Sequence, residues 1–133
     1  MENPKPNHVS KLNDVVDRLI STLLPKACSN KSFFVNDIPN HLEFKKESPV
    51  VTSVLGGLLS TVISNATNSC IWLSAKLYGN VVVLHVKNAK GFNPHIIRGQ
   101  LRQLQALAEK RGGTIGFARD QNTVTSLTFG FYP

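Results

Sequence analysis

The chain has 133 residues, 41% of them hydrophobic, which supports one substantial core and not two. No run approaches the roughly 20 apolar residues that span a bilayer, and Met1 to Pro6 lacks the basic-then-apolar order of a signal peptide, so the expectation is a cytoplasmic chain without membrane contact. Fifteen Lys and Arg against eight Asp and Glu give a charge of +7, which favours anionic partners such as acidic protein surfaces; the basic residues are spread over both ends and the middle, so nucleic acid carries little weight.

Residues 1–8 are polar and carry Pro4 and Pro6, the composition of a flexible lead-in to a single domain over 9–133. From Val9, the residues Leu12, Val15, Val16, Leu19, Ile20, Leu23 and Leu24 recur at three- and four-residue steps and predict a helix that stops before Pro25. That stripe suits a dimer contact and intramolecular packing equally well. Ser32 to Val35 offers a short strand, followed by Asn36, Asp37 and Pro39 as turn residues. Cys28 and Cys70 are too few for a zinc cluster or a disulfide framework and read as buried or half-buried thiols.

The second helix has a defined start, with Ser48 as N-cap and Pro49 in the first turn, where its missing N–H costs nothing. Val51, Val54, Leu55, Leu58, Leu59, Val62, Ile63 and Ala66 form a wide apolar stripe to be buried against a sheet. Gly56 and Gly57 inside it disfavour the helix by up to about 1 kcal/mol each, and imply either close packing or a backbone approach to a ligand. Cys70 to Leu77 and Val81 to Lys87 predict an antiparallel pair around Tyr78-Gly79-Asn80. Asn93 and Pro94 repeat the cap-and-proline device for a third helix with Ile97, Leu101, Leu104, Leu107 and Ala108 on one face, ending at Gly112-Gly113. Thr114 to Ala118 and Val124 to Phe131 close the chain as strands around a turn at 120–122, with Leu127, Phe129 and Phe131 alternating with small or polar residues as on a sheet with one buried face. This order predicts an α+β fold: a two-layer sandwich whose mixed, mostly antiparallel sheet is covered on one face by about three helices.

Two segments say more. VVTSVLGGLLSTVISNAT, Val50 to Thr67, and GGTIGFARDQNTVTSLTFGFYP, Gly112 to Pro133, with the strands between them, resemble in order and spacing the ATP-binding domain of bacterial sensor histidine kinases, a relative of the Hsp90 and gyrase ATPases. That family has a helix ending in Leu-Leu-x-Asn-Ala, matched here at Asn65 and Ala66, and closes on Gly-Gly-Thr-Ile, a turn and a strand ending at Pro. The resemblance implies ATP, held through Mg²⁺ near Asn65, with Asn68 facing phosphate, Asn88 and Thr125 at adenine, and Gly91 and Gly99 as remnants of two glycine boxes.

Most of these positions depart from the family pattern. Thr61 stands one turn before Asn65, where the family has Asn, His or Glu. The family's Asp-x-Gly-x-Gly falls on Lys87-Asn88-Ala89-Lys90-Gly91, so the adenine carboxylate is replaced by an amide. Only seven residues separate Gly91 from Gly99, too few for the family's lid over the triphosphate. The residues themselves leave other readings open: Asn65 as a helix end satisfying local backbone, Gly91 as the turn before Asn93-Pro94, and Gly99 as an isolated helical glycine. His8, His41, His85 and His95 lack the His-Glu-x-x-x-x-Pro context of a phosphoacceptor helix.

The resemblance therefore implies a degenerate ATPase-like domain acting as a non-catalytic binding or regulatory module in two-component signalling, with weak Mg-ATP binding or none. Its partner would be an acidic surface on a response regulator or kinase-like protein, met by His95, Arg98, Arg102 and Arg111 and by the surface around Lys87 and Lys90. The alternatives are a reduced ATP-dependent protein kinase similar to stand-alone anti-sigma serine kinases, and a phosphotransferase-like partner of a response regulator that dimerises through its first helix.

Overall fold

The structure, a computed structural model, describes residues 10–44, 48–120 and 123–133, with backbone alone at 119, 120, 123 and 124. The expected lead-in, the first stripe residue Val9 and the turn at 121–122 lie outside the described residues.

The described residues form β1 (Ser10–Lys11), α1 (Leu12–Ser29), β2 (Phe33–Asn36), β3 (Glu43–Phe44), α2 (Pro49–Ser64), β4 (Cys70–Tyr78), β5 (Val81–Phe92), α3 (Pro94–Glu109), β6 (Thr114–Asp120) and β7 (Thr123–Phe131). The main sheet has five strands in the order β2-β4-β5-β7-β6, with β2 parallel to β4 and the other neighbours antiparallel. The expected α+β sandwich is the observed one.

Helix α2 is the centre of the helical layer. Ser48 Oγ accepts a hydrogen bond from Val51 N at 3.4 Å, and Val54, Leu55, Leu58, Leu59, Val62 and Ile63 are wholly buried. At about 1.5–3 kcal/mol for each fully buried aliphatic side chain, this one helix supplies a large part of the apolar driving force. The two central glycines serve close packing: a Cβ on Gly56 would lie 3.5 Å from Leu19 of α1, and one on Gly57 would lie 2.6 Å from Leu104 of α3. The alternative of a backbone opened to a ligand is not what these contacts show.

Helix α1 runs through Pro25 instead of stopping before it. The ring removes the hydrogen bond to the carbonyl of Ser21, but Ser21 and Pro25 are both exposed, so the carbonyl is not sealed away from solvent. The last turn is secured by buried Ala27 and by Asn30, whose Nδ2 donates to Ile63 O at 2.9 Å and ties the end of α1 to the end of α2. The α1 stripe is used inside the molecule, with Leu12, Val15 and Val16 buried and Leu19, Ile20 and Leu23 packed on the core.

Three further differences from expectation have local causes. The two-residue strands β1 and β3 pair with each other, too short to leave a periodic signal, and bring Phe44 to 5.8 Å from Phe131. Strand β5 continues past Lys87 to Phe92 through an irregularity in its pairing with β7. Cys28 and Cys70 are free and exposed, not buried, because one lies on the outward side of the last α1 turn and the other begins β4 on the sheet face away from the helices.

The turns follow their residues. Gly79 opens the two-residue β4–β5 hairpin at φ 62°; α3 ends at Glu109, ahead of the expected Gly112-Gly113, and Gly112 takes φ 74° in the turn that follows while Gly113 N donates to Ala108 O at 2.9 Å. Two glycines should respond oppositely to alanine. A Cβ on Gly113 would lie 2.8 Å from the Gly130 carbonyl oxygen, so Gly113→Ala is expected to cost about 1–3 kcal/mol, whereas Gly99→Ala meets open space in α3 and should add about 0.5–1 kcal/mol. Urea unfolding of both variants checks this; equal or reversed signs would refute the packing at the α3–β6 junction.

Candidate functional site

The residues singled out by the resemblance separate into two groups in space. The first lies where the C-terminal end of α2 meets the second turn of α3. Asn65 is the C-cap of α2, and its Nδ2 donates to Thr61 O at 2.8 Å and to Gln100 Oε1 of α3 at 2.7 Å. The local-backbone reading of Asn65 is thus realised, with an added tie between two helices. Gly99, next to Gln100, is exposed, and a Cβ there would meet nothing within 4 Å, so it marks no close contact.

The second group is at the irregular stretch of β5. Regular β4–β5 pairing ends at Ile71 opposite Asn88, and β5–β7 pairing jumps from Lys87–Ser126 to Phe92–Val124. On the β7 side, Asn88, Ala89, Lys90 and Gly91 therefore stand against Thr125 alone. Asn88, 1% exposed, holds this bulge: its Oδ1 accepts from Lys90 N at 3.0 Å and its Nδ2 donates to Gly91 O at 3.4 Å. Such a closure is the ordinary use of an asparagine side chain in a turn. Gly91 takes φ 76°, a left-handed conformation that suits glycine, so the turn reading describes it.

Lys90 then reaches across to the loop after α2, where its Nζ donates to Asn68 O at 2.6 Å. Asn68 itself sits at φ 49° and donates its N–H to Asn30 O at 3.0 Å. Asn68, Asn88 and Gly91 are thus brought together with Thr125, and Asn65 and Gly99 are not part of that cluster. Lys90 and Gln100 are the linking residues; the sequence marks Lys90 only as a glycine-box replacement and part of a surface for an acidic partner, and these contacts are not foreseen there because they lie 22 and 35 positions away in the chain.

Phe92 ends β5 and Asn93 at once caps α3, its Oδ1 accepting from His95 N at 3.0 Å and Ile96 N at 3.2 Å. No segment is left between β5 and α3 to form a lid. Of the six positions, Asn88 and Thr125 also border a surface cleft of about 620 Å³, on the side of the sheet that carries Trp72 and Lys87. A second groove, about 290 Å³, runs between α3 and β6 and is bordered by Arg98, Arg102, Gln105 and Phe117; the Arg98 guanidinium lies 5.9 Å from the centre of the Phe117 ring.

No family model matches the sequence, and no curated protein matches it. Solved structures do. The chain is similar to the histidine kinase AdeS of Acinetobacter baumannii, with a TM-score of 0.73 and 13% identity over 98% of this chain and 68% of that one. It is similar to the nucleotide-free catalytic domain of the histidine kinase ThkA, with a TM-score of 0.67 and 16% identity over 96% of each chain. ThkA solved in complex with the response regulator TrrA matches with a TM-score of 0.71 and 16% identity over 95% of this chain and 41% of that one. At such identities the likeness is one of architecture, and it spans nearly the whole chain: this protein has the fold of a histidine kinase catalytic domain.

Proposed function

We propose that the chain is a kinase-type ATPase-fold module of two-component signalling that acts by binding a protein and not by turning over ATP. The observation that carries this reading is that Asn88, at the adenine position, is buried and engaged by its own bulge. Asn88 brings no carboxylate to adenine; it is buried and bonded at both amide atoms to the backbone of its own bulge. The Asn65 amide ties α2 to α3, and the Lys90 ammonium is held by the Asn68 carbonyl, away from any phosphate. Mg²⁺ shares its oxygen ligands with bound phosphates, so the reading is further supported by the direct passage from β5 to α3, which leaves no segment to close over a triphosphate.

A response regulator is the partner this reading names, because ThkA is a structural neighbour solved in complex with one. The α3–β6 groove suits an acidic surface: Arg98 and Arg102 are exposed along it and Phe117 provides an apolar floor.

Two measurements test the proposal. A nucleotide bound at about 10 μM would, at about 1 mM, stabilise the fold by about 2.7 kcal/mol and raise the melting temperature on the order of 10 °C. The expected result with Mg-ATP or Mg-ADP is no shift; a shift of that size, abolished by Asn65→Ala, would instead establish a working nucleotide site. Calorimetric titration with the receiver domain of a response regulator should show binding that Arg98→Glu/Arg102→Glu weakens by roughly tenfold or more, and binding unaffected by that double change would remove the groove from the interface.

A further inference from the structure

The five-stranded sheet has a second face, turned away from the helices, whose composition is not that of an ordinary solvated surface. Phe33 of β2, Trp72 of β4 and Tyr78 at the end of β4 project there, and they are 57%, 47% and 56% exposed. The register places them beside cations. Phe33 pairs with Cys70, one diagonal step from Trp72; Trp72 lies directly opposite Lys87; Ser74 lies opposite His85; Lys76 lies opposite Val83. Lys76 and Lys87 are exposed.

Beyond this aromatic and basic ridge the face becomes a shallow floor. His85 and Lys87 pair with Thr128 and Ser126 of β7, and those in turn pair with Gly116 and Ala118 of β6. The floor is low because its side chains are small: a Cβ on Gly116 would come within 2.9 Å of Thr128 Oγ1. The described outer-face positions of β2, β4, β7, β6 up to Ala118 and β5 up to Lys87 hold no Asp or Glu. The cleft of about 620 Å³ opens on this face between Trp72, Ser74 and Lys87, with Ala89 of the β5 bulge and Thr125 at its end.

From this juxtaposition we propose that the outer face of the sheet binds single-stranded nucleic acid, with bases stacking on Trp72 and Phe33, phosphates meeting Lys87 and Lys76, and the Ser126 and Thr128 hydroxyls supplying hydrogen bonds along the floor. Exposed aromatic rings on an open sheet offer flat faces that every base can use, and adjacent cations track the backbone. An acidic peptide would meet the lysines but has no use for the flat ring faces, and a duplex hides the faces of its bases. The length of the feature distinguishes a strand from a single nucleotide: Trp72 and Tyr78 are six residues apart on one β-strand, about 20 Å. The basic residues that look scattered along the chain are thus partly collected by strand pairing. The cleft borders Asn88 and Thr125 of the kinase-type reading, but the rings and lysines that carry this inference, Phe33, Trp72, Lys76 and Lys87, are not among that reading's nucleotide positions.

Trp72 is the only tryptophan in the chain, so its fluorescence reports on the site directly. The full chain is titrated with oligo-dT and oligo-U of about 12 nucleotides at about 50 mM salt, with a labelled oligonucleotide followed by anisotropy in parallel. The expected result is saturable quenching, weakened roughly sevenfold at about 200 mM salt if two phosphates are neutralised, since a single strand gives a log–log slope of about −0.7 per contact. Trp72→Leu should lower the affinity read by anisotropy by at least about fivefold, the low end of one lost stacking contact, and Lys87→Ala should reduce the salt slope by about 0.7. Both residues are exposed on the surface, so folding, checked by circular dichroism, should survive. Absence of both quenching and anisotropy change overturns the proposal. So do equal binding of thymidine monophosphate, which would mean a nucleotide pocket; equal binding of polyglutamate, which would mean charge alone; and a tryptophan blue shift with dimer formation in the absence of nucleic acid, which would mean that a second copy covers the face.

Discussion

The close approach of three helices to one another over the sheet is the constraint on which the rest depends, and it rests on two glycines. Gly56 and Gly57 leave α2 without side chains where Leu19 of α1 and Leu104 of α3 press in. Glycine in a helix interior disfavours the helix by about 1 kcal/mol relative to alanine. Here that cost is offset by a helix buried along most of its length, with six of its side chains fully out of water. Drawing α3 onto α2 in this way also sets the distance that Asn65 and Gln100 close with a single hydrogen bond.

The same economy shapes the region where kinase-type ATPases keep their nucleotide. In a chain with no segment between β5 and α3, the strand must pass from the sheet to the helix within a few residues. The bulge of Asn88 to Gly91 makes that transition, and its polar groups are satisfied by one another and by the loop after α2. A buried amide such as Asn88 must find partners, and it finds them in its own backbone. The fold of a histidine kinase catalytic domain is compatible with that self-contained arrangement, and the outward surfaces expose Arg98 and Arg102 on one side and Trp72 and Lys87 on the other.

Much of this architecture was legible from residue order. The caps Ser48-Pro49 and Asn93-Pro94 announced α2 and α3 because they act within a few residues of themselves, and both act as N-caps. The alternation of Leu127, Phe129 and Phe131 announced a strand with one buried face, and all three are buried. Pro25 misled, because the cost of a proline inside a helix, a lost hydrogen bond and a ring clash with the preceding turn, is outweighed here by long-range packing of the last turn, which residue order does not show. Cys70 misled for a related reason: in a strand, burial depends on which side of the sheet a residue takes, and a lone thiol carries no information about that.

The chain by itself determined the α+β class, the two well-capped helices and the hairpin at Gly79, since each follows from local conformational preference. Only the tertiary structure decided what those residues do. Asn65 meets Gln100 and Lys90 meets Asn68 across gaps of tens of residues, and Trp72 comes to lie opposite Lys87 through strand register. Such contacts arise from long-range pairing and helix packing, which no local pattern encodes, because the free energy that selects them belongs to the assembled core and not to the segments that compose it.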